Sequence, residues 1–272
     1  MAVALEIRDG NPWWYLSTDL WVVPGDDPDG TPGPPVAGSP AFLWARVRNS
    51  GDTAVEDATV NFYWANPSVG FDRNTANPIG QAFVTLPAGG TNDVLCLTQW
   101  VPEYVNGGHE CVLAEAFKPG VDPLPATPGF NVPTDRHVAQ LNLSVAQAVR
   151  RRFHMAFEVH NPMRLARKFE VAARQGPVAE VAERFRWVAA LPEVGQEARA
   201  ARLGFLREPC PDPDRIESAD GQRASLEVGP NGRIGLTLAG VLDGPGAAAV
   251  HVEQHADGQL VGGLAVIVVA RE

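Results

Sequence analysis

The stretch FLWARVRNSGDTAVEDATVNFYW, residues 42–64, decides the fold class. Leu43, Ala45 and Val47 alternate with Phe42, Trp44, Arg46 and Arg48, so one face is apolar and the other carries rings and charges. Further along, Val60, Phe62 and Trp64 alternate with Thr59, Asn61 and Tyr63. Both runs have the two-residue period of half-buried strands. Between them NSGD supplies residues that tolerate positive φ or bond to their own backbone, which is turn chemistry. The pattern places Val47, Val60 and Phe62 in a core and turns Arg46 and Asn61 outward, because a slip of one residue would bury the charges and expose the rings.

The same style continues in both directions. Residues 19–23, 81–86, 93–100, 109–117 and 138–145 read as further strands, the last four of them separated by the loops PAGGTND, PEYVNGG and KPGVDPLPATPGFNVPTD. Seven short strands in about 145 residues without a helical period predict an immunoglobulin-like sandwich. The segments PVAGSPAFLWARVRNSGDTAVEDATVNFYW, LPAGGTNDVLCLTQWVP and GGHECVLAEAF resemble the bacterial CARDB-type, adhesion-related sandwich over residues 15–145. Asn49 and Gly51 then mark a turn and Trp100 a packing position. The resemblance implies an immunoglobulin-type fold and a role in adhesion or assembly.

From Arg150 the pattern changes. Phe153, Met155, Phe157 and Val159 share one strand face, and KFEVAA makes another strand. Val178, Val181, Phe185, Val188 and Leu191, then Ala198, Ala201 and Phe205, approximate helical spacing and predict one or two short helices. Strands resume at 224–228, 234–242, 248–254 and 260–270. The last is almost continuously apolar and predicts burial on both faces. The expected architecture is all-β, with two immunoglobulin-like β-sandwich domains, residues 1–147 and 148–272. The second carries a short helical insertion around 178–205.

Apolar residues make up 45% of the 272 and charged residues 20%, enough for a substantial core. A net charge of -10 and a pI near 5.1 oppose binding to a phosphate backbone, so no nucleic acid is expected as a partner. The basic cluster Arg150, Arg151, Arg152, Arg164, Arg167 and Lys168 reads first as a solvated face and otherwise as the best patch for an acidic protein partner. The start MAVALEIRDGNPWWYL lacks the pattern of a secretory signal, and no run reaches membrane-spanning length. The reading is a cytoplasmic protein without membrane insertion, with non-classical export as the alternative.

Motifs for chemistry are sparse. DDPDG, residues 26–30, offers three carboxylates but not the alternating ligand frame of a calcium loop. HVEQH places His251 and His255 on one strand face about 13 Å apart, too far to share a metal. His109, His137, His154 and His160 lack partners at ligand spacing, and no nucleophile elbow, phosphate loop or dinucleotide fingerprint is present. No metal or cofactor is expected. A hairpin in which Trp100 faces Gly107 would set Cys96 opposite Cys111, close enough for a disulfide, whereas free buried thiols are the alternative.

Trp13, Trp14 and Tyr15 are adjacent, so a strand there would send rings to both faces. They form either an interface or the base of a core. The preferred functional expectation is a non-enzymatic interaction or assembly protein, acting through a protein partner or self-association. The alternatives are a carbohydrate-binding or hydrolase-accessory module, in which paired rings stack on sugars, and an enzyme with an unrecognised site.

Overall fold

The computed structural model describes residues 2–65, 68–69, 72–103, 111–161, 163–182, 197–207 and 222–271. The chain divides into two compact units. Unit 1 comprises Met1–Ala65, Phe71–Tyr104 and Glu110–Asn142, and unit 2 comprises Asn66–Gly70, Val105–His109 and Leu143–Glu272. Among the described residues no helix is long and apolar enough to cross a membrane.

In chain order the first strands are β1 (Leu5–Glu6), β2 (Leu20–Pro24), β3 (Ala41–Asn49), β4 (Val55–Ala65), β5 (Ser68–Val69), β6 (Asn77–Leu86), β7 (Thr91–Leu95), β8 (Cys111–Phe117) and β9 (Val138–Leu141). All but β5 belong to unit 1 and form two four-stranded antiparallel sheets. In one, β1 and β2 line one edge of β3 and β7 the other; the second runs β6-β4-β8-β9. The segment NSGD therefore carries the chain from one sheet to the other. Buried Asn49 fixes that passage: its side-chain nitrogen donates to the carbonyls of Thr53 and Pro87, and its oxygen accepts from the N–H groups of Ala4 and Gly51. Any Cβ at Gly51 would sit 2.1 Å from the Ala2 carbonyl oxygen, so glycine is required there by space alone.

Val47, Val60 and Phe62 are buried, and Arg46 and Asn61 are partly exposed, as the alternation requires. The period breaks after Phe62. The pairing of β4 with β6 shifts register between Phe62 and Tyr63, which leaves Trp64 half-buried and turns Ala65 inward instead. The strand expected at 93–100 ends at Leu95, and Trp100 makes a single bridge to Ala41. Since β7 pairs with β3 whereas β8 pairs with β4 and β9, the hairpin that would have joined Cys96 to Cys111 does not form. Both cysteines are buried free thiols.

Unit 2 contains β10 (Leu143–Val149), β11 (Arg152–His160), β12 (Arg167–Gly176), α1 (Val178–Ala182), β13 (Ala200–Leu206), β14 (Arg223–Val228), β15 (Arg233–Leu242), β16 (Ala247–Ala256) and β17 (Gln259–Arg271). Its strands form one sheet in the order β13-β15-β11-β10-β17-β16-β12-β14, with β5 beside β11. The expected pair of stacked sheets is thus replaced by a single nine-stranded sheet that curls almost closed. The Gln175 side chain on β12 donates to the Ala200 carbonyl on β13 at 3.0 Å and accepts from the Ala200 N–H at 2.8 Å. Inside lie Phe153, Met155, Phe157 and Val159 with Leu236, Leu238, Val250, Val252 and Leu264. The middle of β17 is buried on both faces, as its continuous apolar run predicts.

The helical insertion is corrected. Helix α1 has five residues, 183–196 lie outside the described residues, and 200–206 form β13. Ala198, Ala201 and Phe205 suggest a helix locally, but pairing with β15 offers β13 a full ladder and buries Leu203, and tertiary context overrides so weak a propensity. The strand expected at 138–145 is also broken. Asn142 leaves the ladder to donate its N–H to the Tyr15 carbonyl, and the chain passes there from unit 1 to unit 2.

A two-residue turn joins β10 to β11, with Val149 paired to Arg152. Its central residues, Arg150 and Arg151, both have positive φ, 50° and 67°. This primed turn suits the twist of a hairpin but favours Asn-Gly, because a Cβ in the left-handed region costs about 1–2 kcal/mol. Arg150→Asn with Arg151→Gly is therefore expected to stabilise unit 2 by about 1–2 kcal/mol, read as a higher denaturant midpoint.

Candidate interaction surfaces and buried ionic clusters

Unit 1 buries several charges. Asp19 is fully buried; its carboxylate accepts from Arg8 Nε and Nη2, each at 3.0 Å, and from Arg48 Nε at 3.3 Å. Burial alone would raise its pKa, yet the two guanidiniums hold it below the usual carboxylate value. Glu115, 1% exposed, accepts from Tyr63 Oη at 2.8 Å, Asn61 Nδ2 at 3.1 Å and Arg73 Nε at 2.7 Å. Burial and the adjoining carboxylate push the Tyr63 hydroxyl well above its ordinary pKa, so it remains a donor. Both oxygens of each carboxylate are engaged.

A third cluster surrounds His137. Its Nδ1 lies 2.7 Å from Asp135 Oδ1, and its Nε2 lies 3.2 Å from Asp122 Oδ1 as a charge contact outside good hydrogen-bond alignment. Asp122 also accepts from Arg136 and from the Leu5 N–H. Burial opposes charging of the imidazole, but the two carboxylates outweigh it and raise the pKa; Asp135 is lowered in return. A raised folded pKa gives stability that is complete below the unfolded value near 6.5 and is lost as pH climbs through the folded value. Unit 1 should accordingly weaken as pH rises above the unfolded value near 6.5, and His137→Gln should flatten that limb in pH-dependent denaturation.

The outer face of β2, β3 and β7 presents rings. Trp21 and Trp44, directly opposed across β2 and β3, stack with centroids 5.9 Å apart and planes 7° from parallel. The Arg46 guanidinium lies 5.8 Å over Trp21 and grips Asp93 with two hydrogen bonds, 2.6 and 2.8 Å long. Trp44 Nε1 donates to the Pro28 carbonyl within DDPDG. That loop is an Asp-centred turn, in which Asp27 Oδ1 accepts from the Asp29 N–H.

The residues 13–15 do not form a strand. Trp14 and Tyr15 are buried with their rings edge to face, 5.6 Å apart, and Trp13 is half-buried, so the two buried rings belong to the core and offer no contact surface. The basic cluster separates. Arg150, Arg151 and Arg152 lie at one end of β11 and Arg164, Arg167 and Lys168 beyond the other, some eight residues and about 26 Å of strand away. Arg167 is paired with Asp257.

In exchange, strand pairing brings Arg199 and Arg202 to the Arg150–Arg152 end. Arg152 and Arg202 flank Val241 on β15, Arg151 Nη1 reaches the Asp243 carbonyl, and the Arg199 N–H bonds the Asp243 carboxylate. All five arginines are exposed. Sequence spacing gave no sign of Arg199 and Arg202, since 47 residues or more separate them from the turn.

On β16, His251 is buried and His255 Nε2 lies 3.3 Å from Glu253 Oε2. Glu253 is also held by Arg174; burial would raise its pKa, but that guanidinium lowers it. Arg174, Glu253 and His255 line a groove of about 840 Å³ across β12, β14 and β16, where Arg223 and Glu170 pair at 3.0 Å. His154 is exposed, His160 is buried, and His109 lies outside the described residues. Among the described residues no three ligating side chains converge on a common point.

No protein-family model matches the chain, and no curated protein does. Among solved structures it is similar to the CARDB domain of a Pyrococcus furiosus protein solved with di-metal ions. That match has 14% identity and a TM-score of 0.30, over 52% of this chain and 90% of that one. A red sea bream transglutaminase matches at 13% identity and a TM-score of 0.26, over 93% of this chain but only 31% of the enzyme. A Streptomyces venezuelae β-glucosidase matches at 18% identity and a TM-score of 0.24, over 45% of this chain and 14% of the enzyme. Likenesses this distant say nothing of what the chain binds or does.

Proposed function

We propose that this chain is a non-enzymatic interaction or assembly protein whose first unit is an immunoglobulin-like sandwich of the CARDB type. The observation that carries the reading is how its charges are used. The buried carboxylates of Asp19 and Glu115 have both oxygens taken by hydrogen bonds, which leaves neither to serve as acid, base or ligand. Among the described residues, the guanidiniums of Arg150, Arg151 and Arg199 hold no carboxylate; these three are exposed and lie near one strand end. The carbohydrate alternative draws on Trp21 and Trp44. Trp44 and Arg46 already lie on the Trp21 ring, however, so a sugar would compete with them for that ring.

Sedimentation equilibrium from about 1 to 300 μM, beside electrophoresis in gels cast with neutral polysaccharides, tests the reading. Rising mass with unchanged gel mobility supports it. A constant monomer retarded by polysaccharide favours the carbohydrate module, and turnover of a glycoside or acyl substrate would overturn it.

A further inference from the structure

Charge is divided unevenly between the units. Unit 1 has six Lys and Arg against sixteen Asp and Glu and so carries the whole net charge of -10, whereas unit 2 has sixteen of each. The cations of unit 1 are also spent internally. Arg8 and Arg48 hold Asp19, Arg46 holds Asp93, Arg73 holds Glu115, Arg136 holds Asp122, and Lys118 bonds the Asp57 carbonyl. What unit 1 shows to solvent is therefore predominantly anionic.

Unit 2 keeps a different arrangement. Arg167, Arg174, Arg223 and Arg233 each hold a carboxylate, but among the described residues Arg150, Arg151 and Arg199 hold none with their guanidiniums; Arg150 and Arg151 form the β10–β11 turn, and Arg199 is tied beside it through Asp243. Arg152 and Arg202 project from the same end. Guanidinium forks match carboxylates in planar, two-bond geometry, so this end suits a carboxylate-rich protein surface.

We infer that the arginine end of unit 2 docks onto the acidic unit 1 of a second copy of this chain. The inference rests on the assembly reading above and specifies its contact. Charge complementarity selects the partner: the anionic surface the arginines need is present on every copy at the same concentration as the arginines. Because the two contacting surfaces differ, the association is head-to-tail and can propagate. It draws on exposed ion pairs and therefore weakens as the screening length falls from about 10 Å at 0.1 M salt to about 3 Å at 1 M.

The turn provides a variant that separates binding from folding. Arg150→Asn with Arg151→Gly removes two charges while relieving the backbone, so a loss of association cannot be laid to unfolding. In sedimentation at 0.1 M salt we expect concentration-dependent mass for the wild type, largely abolished at 1 M, and weakening by about tenfold or more in this variant. Arg199→Glu should weaken association similarly. The turn variant still offers an intact acidic unit, so in excess it should cap wild-type chains and lower their mean mass. An assembly indifferent to both substitutions, or one that excess variant leaves unchanged, would overturn the arginine contact while the assembly reading survives. A wild type that stays monomeric at 300 μM in 0.1 M salt overturns both.

Discussion

Phe62→Ala is expected to lower the stability of unit 1 by about 3–5 kcal/mol, a large share of the roughly 5–15 kcal/mol that holds a domain together. Phe62 is 1% exposed on the central strand β4, paired to Ala114 on β8 and Gly80 on β6, so no side chain near it can collapse into the space without disturbing two ladders. Arg46→Ala, on the opposite strand face of β3, should cost less than about 1 kcal/mol, because its pair with Asp93 is solvated. Equilibrium denaturation of both variants measures the ranking directly. A larger loss for Arg46 than for Phe62 would contradict the inward and outward assignment of the two strands.

Asp19→Ala is expected to cost about 3 kcal/mol, at the lower end for breaking a buried ion pair, because Arg8 and Arg48 keep partial access to water once the carboxylate is gone. The Asp19 carboxylate binds the Arg8 backbone N–H as well as both guanidiniums, and so ties the start of the chain to β3. Its pH signature has a definite sign. The folded pKa is depressed, so the contribution is complete above the unfolded value near 4 and is lost as pH falls through the folded value. The variant should lose part of the acid-unfolding limb below about pH 4 while its alkaline limb, set by His137, is unchanged. An acid limb identical to that of the wild type would show that Asp19 is not charged by its partners as the geometry requires.

Local pattern alone determined much of this protein. Alternation in 42–48 and 59–62 placed Val47, Val60 and Phe62 inside, and Phe153 to Val159 likewise, because the period of two is a property of the strand itself and needs no knowledge of its neighbour. Asn49 and Gly51 were legible as a turn for the same reason. Strand partnership was decided only by tertiary structure. β10 runs parallel to β17, with Leu143 opposite Ala265 and Val149 opposite Arg271, a pairing across more than 120 residues that no local window contains. That pairing makes unit 2 one curled sheet instead of two stacked ones. The same non-locality undid the Cys96–Cys111 hairpin, since successive strands β7 and β8 went to different sheets. It also buried Trp14 and Tyr15, and it moved Arg199 and Arg202 beside Arg150 while parting Arg150 from Arg164. Side-chain periodicity records which face of a strand is buried; which strand lies next to it depends on loop closure and sheet packing summed over the whole chain.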